Sequence, residues 1–184
     1  MLCPLGVAVS LAIYLEDGGP VLFFQERCGE KGKLFRTIKF RTMKQPKEGS
    51  AHLDVDLERD PRVTKVGRVL RSTALDELPE LVNILRGEMS FVGPRPLPFR
   101  IEDGERSRYK TIAEVPGYGL RSQVRPGLTG IAQVYAPKNI DRRGKFRYDN
   151  LYVARMSFWL DLRLLLISFW VTFRGGWERR GKKV

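Results

Sequence analysis

The strongest constraint on this chain is the segment Met156 to Phe173, MSFWLDLRLLLISFWVTF. On a helical wheel Asp161, Ser168 and Thr172 fall on one narrow stripe, while Phe158, Leu162, Leu165, Leu166, Phe169 and Phe173 gather opposite. A helix this greasy must hide its apolar face, either in a protein core or in a membrane interface. A tail carrying Arg174, Arg179, Arg180, Lys182 and Lys183 follows at once, which suits an interfacial helix above anionic headgroups. A second apolar run, Met1 to Leu15, carries no charge and stops at Glu16-Asp17-Gly18-Gly19-Pro20. As a helix it reaches about 22 Å at ~1.5 Å per residue, short of the ~30 Å hydrocarbon core, so it enters a bilayer rather than crossing it. No basic residue precedes it and acids follow it, so a secretory signal fits poorly.

Between these runs the sequence is polar and basic. Lys and Arg outnumber Asp and Glu by 33 to 21, a formal +12 that points to a polyanionic partner: nucleic acid, anionic lipid or a phosphorylated substrate. With 42% apolar residues in 184, disorder is excluded for most of the length and one domain is expected. Cys3 and Cys28 lack CxxC spacing and His52 is the single histidine, so neither a disulfide scaffold nor a zinc module is supported. The chemistry must come from carboxylates and basic groups, with or without a hard cation.

Val21 to Glu26 and Leu34 to Phe40 read as two strands of a hairpin, with Gly29 to Lys33 as the turn. Gln45 to Asp60 reads as a solvent-facing loop that contains His52. Leu81 to Leu85 reads as a short helix bounded by Pro79 and Gly87, and Met89 to Pro98 as extended or turning. Asp76 and Glu77 stand just before that helix, where exposed N–H groups bind phosphate and where acids also simply balance the helix dipole. Carboxylates beside a phosphate become reasonable if they hold Mg²⁺, with Arg68, Arg71, Arg86 and Arg95 nearby in sequence to neutralise the rest. In Gly93-Pro94-Arg95-Pro96 two prolines fix the backbone around one guanidinium fork, an arrangement suited to bidentate phosphate recognition. Val124 to Gly130 again sets an arginine, Arg125, beside a Gly/Pro turn.

Five elements carry a resemblance. Gly18-Gly19-Pro20-Val21 through Gln25-Glu26-Arg27, Lys39-Phe40-Arg41-Thr42-Met43, Leu75-Asp76-Glu77-Leu78-Pro79, Ser90 through Pro96 and Arg125 through Gly130 follow the order and spacing of the bacterial sugar transferase family, the monotopic phosphoglycosyl transferases. The resemblance implies transfer of a sugar-1-phosphate from a nucleotide diphosphate sugar, usually a UDP-sugar, to a polyprenyl phosphate, in the first membrane step of bacterial glycoconjugate or polysaccharide synthesis. It implies Asp76 as nucleophile, Glu77 as its partner, and Mg²⁺ held by both. Arg71 and Arg95 would hold phosphate oxygens, and Lys39, Arg41 and Arg125 match further substrate-binding positions. It also implies a location at the cytoplasmic face of the bacterial inner membrane, contact with anionic lipids and no nucleic acid; a homo-oligomer stays open. Family members carry a basic stretch and the first half of a re-entrant helix ahead of this point, with Ser-Pro at its kink where this chain has Cys3-Pro4, so a truncated membrane helix is expected.

The expectation is therefore a single compact α/β domain of short helices with a small hairpin sheet. A membrane-inserting helix occupies 1–17, the catalytic part 18–155, and an interfacial helix with its basic tail 156–184. The rivals are a basic nucleic-acid-binding module, direct transfer without a covalent intermediate, and a binding-only scaffold. The first is weakened because the aromatics concentrate on the C-terminal helix rather than alternating with Lys and Arg on strands.

Overall fold

The computed structural model of the chain describes residues 2–44, 60–101, 109–137 and 140–173. Helix α1 (Leu2–Asp17) contributes Val9 and Ile13, one turn apart, to a cluster with Phe40 and Leu70, while Val7, Leu11, Tyr14 and Leu15 on its other sides are exposed. The chain leaves α1 through Gly18 and Gly19, both at positive φ, and enters β1 (Leu22–Cys28). β1 pairs antiparallel with β2 (Leu34–Phe40), in register from Leu22 opposite Phe40 to Cys28 opposite Leu34. The expected hairpin is therefore present, with its first strand two residues longer at the C-terminal end. Its turn includes a 3-10 turn at Glu30–Gly32.

Helix α2 (Lys65–Ser72) starts at Thr64, whose side chain accepts from the Gly67 N–H at 2.8 Å. The Glu16 carboxylate also accepts from the N–H groups of Lys65 and Val66, which ties the end of α1 to this helix start. The short helix α3 (Glu80–Leu85) follows, then β3 (Ser90–Val92), α4 (Tyr118–Arg121), β4 (Gly127–Thr129), α5 (Ile131–Tyr135), α6 (Arg142–Arg155) and α7 (Phe158–Phe173). Strands β3 and β4 form a second two-stranded sheet, parallel, with Ser90 opposite Gly127 and Val92 opposite Thr129. The α/β expectation holds, with one sheet more than the hairpin. That pairing needs glycine, since a Cβ on Gly127 would stand 2.0 Å from the Gly93 nitrogen.

The C-terminal helix turns its polar stripe toward the protein. The Tyr152 hydroxyl donates to Asp161 at 2.9 Å, Ser168 is hydrogen-bonded to Thr129, and Leu164 is fully buried with Val92, Ile131, Val134 and Tyr152. Phe158, Leu162, Leu165, Leu166 and Phe169 are exposed. Among the described residues no element covers the apolar side of α7. No helix among the described residues is long and apolar enough to cross a membrane. His52 with the loop 45–59, and the basic tail 174–184, lie outside the described residues.

Candidate active site

The two candidate carboxylates owe their position to a break in the backbone. Helix α2 ends at Thr73, and Ala74 then adopts φ 54 and ψ 19, a left-handed conformation that costs a residue with a Cβ about 1–2 kcal/mol. This bend separates Leu75-Asp76-Glu77 from both neighbouring helices as a 3-10 turn of its own. As expected, the carboxylates stand just ahead of a short helix: α3 begins at Glu80 and is six residues long. Cations from other elements supply positive charge to this turn.

Asn83 fixes α3 against the hairpin. Fully buried, it accepts from the Ile38 N–H at 3.1 Å and donates to the Arg36 carbonyl at 2.8 Å and to Glu88 at 2.6 Å. That anchor carries Glu77 and Glu80, three residues apart, to Lys39 on β2. Lys39 Nζ lies 2.6 Å from Glu77 Oε1 and 3.3 Å from Glu80 Oε1. Arg95 Nη2 reaches the same Glu77 Oε1 at 2.8 Å from the turn after β3. Burial would raise the Glu77 pKa, but the charges of Arg95 and Lys39 outweigh it and hold the group at about 2. For Asp76 the balance reverses: burial and the adjacent Glu77 charge raise its pKa against the opposing fields of Lys39 and Arg71. The environment therefore moves two neighbouring acids in opposite directions, Glu77 down and Asp76 up.

Lys39, Arg71 and Arg95 are the basic candidates that act on this pair. Arg71 donates to the Thr42 hydroxyl at 2.9 Å. Arg41 and Arg125 are engaged elsewhere. Buried Arg41 pairs with Asp17 at 3.2 Å and donates to the Gly18 carbonyl, fastening the hairpin to the end of α1, whereas exposed Arg125 stands 3.8 Å from Glu30.

A small cleft is lined by Arg27, Thr37, Lys39, Glu80, Arg95, Pro96 and Gly127. Of these, Arg27, Thr37 and Glu80 were not anticipated from sequence. The hairpin register carries the missing signal, because Arg27 and Thr37 lie on the Lys39 face of the sheet. Glu80 is almost fully buried, its Oε1 makes no hydrogen bond among the described residues, and burial raises its pKa although Lys39 opposes this. Among the described residues no group of three or more His, Cys, Asp or Glu forms a metal cage. Mg²⁺ needs less, one or two carboxylates completed by substrate phosphates and water. Asp76 fits that requirement best, since two cations already occupy Oε1 of Glu77.

The model of the family described as "Bacterial sugar transferase" matches residues 1–175. The UDP-glucose:undecaprenyl-phosphate glucose-1-phosphate transferase of Caulobacter vibrioides is 40% identical over 171 residues, covering 90% of this chain and 61% of that protein. The UDP-N-acetylgalactosamine-undecaprenyl-phosphate N-acetylgalactosaminephosphotransferase of Aeromonas hydrophila is 40% identical over 165 residues, covering 88% of this chain and 37% of its own length. The UDP-glucose:undecaprenyl-phosphate glucose-1-phosphate transferase of Escherichia coli K12 is 37% identical over 180 residues, 94% of this chain and 37% of its own. The chain thus spans between about a third and three-fifths of the length of these relatives.

Proposed function

This chain belongs to the bacterial sugar transferase family, and we propose that it transfers a sugar-1-phosphate from a UDP-sugar to a polyprenyl phosphate by way of a covalent phosphosugar on Asp76. The observation that carries this reading is the split carboxylate pair, Asp76 beside Glu77, set against Lys39, Arg71 and Arg95. In the first half-reaction an Asp76 oxygen attacks the phosphorus that bears the sugar. The bond from that phosphorus to the bridging oxygen breaks, and UMP departs with the electron pair. In the second, an oxygen of the polyprenyl phosphate attacks the same phosphorus, the bond to Asp76 breaks, and the carboxylate is regenerated. Two steps through one nucleophile let a water-borne donor and a lipid acceptor react in turn at the same residue.

Arg95 and Arg71 hold phosphate oxygens as charge develops, and the fixed fork of Arg95 suits two oxygens at once. Arg95 and Lys39 keep Glu77 ionised beside the nucleophile, where it can assist the metal. Asp76, with the Glu77 carboxylate beside it, would hold Mg²⁺, which would offset the diphosphate charge and make UMP a better leaving group. The exposed apolar faces of α1 and α7 support attachment to a membrane, as a lipid acceptor requires. The cytoplasmic face of the inner membrane, where nucleotide sugars are made, is the proposed location.

The test incubates detergent-solubilised protein and Mg²⁺ with a panel of UDP-sugars and undecaprenyl phosphate, and measures UMP release. Without acceptor, mass spectrometry should find a phosphosugar on Asp76. Release of UMP only when both substrates are present, with no adduct, would favour direct transfer instead.

A further inference from the structure

A buried arginine outside the cleft holds the backbone of Arg95. Arg121, at the end of α4, sends Nε to Asp149 Oδ2 on α6 at 2.9 Å and Nη2 to the Arg95 carbonyl at 2.6 Å. Its guanidinium carbon lies 4.5 Å from the centre of the Phe146 ring. Both charged side chains are about 5% exposed and Phe146 is fully buried. A buried ion pair contributes little to stability by itself, because desolvating both charges offsets most of their attraction. In this pair one fork spans an acid on α6 and a main-chain carbonyl in the site, a geometry no apolar replacement reproduces.

The target of that bond is the half-exposed residue that pairs with Glu77. Pro94 and Pro96 lock φ on both sides of Arg95, and the Pro94 carbonyl accepts from the Gly127 N–H at 2.9 Å. The carbonyl of Arg95 is the remaining handle, and Arg121 takes it. We propose that the Arg121–Asp149 pair, stacked on Phe146, is a positioning device that sets the Arg95 guanidinium toward Glu77 and the substrate phosphate. Phosphate binding by Arg95 rests on the transferase reading; the positioning does not.

Two measurements test it. In the first, folded protein is treated with phenylglyoxal and modification of Arg95 is followed by mass spectrometry, using buried Arg41 as reference. Asp149→Asn and Arg121→Lys should each raise the Arg95 rate severalfold at an unchanged Arg41 rate. Arg121→Lys keeps a charge beside Asp149 and so guards against unfolding by Asp149→Asn. An unchanged Arg95 rate, or an equal rise at Arg41, overturns the proposal. In the second, UMP release is compared for Arg121→Lys, Arg95→Lys and the double variant. Arg121→Lys alone should lose on the order of 10–100-fold, as misplacement from a distance does. On the Arg95→Lys background it should add less than about twofold, because the residue it positions is already gone. Full multiplication of the two losses overturns the proposal. Absence of UMP release by the unmodified protein with every UDP-sugar defeats the transferase reading, and the labelling then decides the positioning alone.

Discussion

Around Glu77 and Glu80 the chain buries charge, whereas on the outer face of α7 it leaves hydrocarbon uncovered. Glu80 is nearly inaccessible and Glu77 is shared by two cations, while Phe158, Leu166 and Phe169 stand more than half exposed. Each arrangement reverses the ordinary partition of residues, and each is costly in an isolated water-soluble domain. The difference teaches where the two costs are recovered. Buried charge is offset within the molecule, by Lys39 and Arg95. Exposed hydrocarbon has no such offset within the described residues, which points to a medium outside the protein.

The comparison breaks most visibly at the nucleophile. Asp76→Asn should lower UMP release by roughly 10⁴-fold or more, since an amide cannot serve as the carboxylate nucleophile, and near-normal turnover would remove Asp76 from that role. Glu77→Gln should cost about 10²–10³-fold by stripping Lys39 and Arg95 of their shared acid, measured in the same assay. Arg95→Lys should cost on the order of 10–100-fold although it keeps the charge, because the planar fork is lost; unchanged kinetics would demote Arg95 to a turn residue.

On the apolar side, Leu165→Glu with Phe169→Glu should shift the protein from membrane pellet to supernatant by at least about tenfold, since each buried side chain contributes roughly 1.5–3 kcal/mol. Neutralising Arg179, Arg180, Lys182 and Lys183 together should shift it less. A 1 M salt wash should leave unmodified protein in the pellet, because charges are screened over ~3 Å there while apolar burial persists. Release by salt alone would defeat insertion and favour the nucleic-acid reading. The smallest effect belongs to Asn83→Ala, which orphans the Ile38 N–H and the Arg36 carbonyl at a cost of about 1–3 kcal/mol. Calorimetry should show a melting point lower by about 2–12 °C.

Much of this architecture is legible one segment at a time. The hairpin follows from two apolar runs around Gly29 to Lys33, and the helix α7 from its wheel, because both rest on contacts close in sequence. The parallel pairing of Ser90 with Gly127 was not legible, since it joins residues far apart and leaves no periodic trace in three-residue strands. Helices α2 and α6 were not anticipated either. In the site, Asp76, Glu77 and Arg95 announce themselves as an acid pair and a proline-flanked arginine. Glu80 and Arg27 do not, because a lone Glu on a short helix and a lone Arg on a strand look like solvated surface until α3 docks on β2.

Local periodicity, turn residues and charge were enough to place two apolar helices around a basic centre and a hairpin after the first. Roles for particular carboxylates and arginines came from the family resemblance rather than from those local signals. Which side of α7 meets the protein is a tertiary matter, since a wheel separates two faces without saying which is buried; the Tyr152 hydroxyl donating to Asp161 and the hydrogen bond between Thr129 and Ser168 choose the polar one. The tertiary structure also decided that Asp76 and Glu77 titrate apart. The two are nearly equivalent as acids by type; burial and the Glu77 charge raise Asp76, whereas Arg95 and Lys39 lower Glu77 despite its burial.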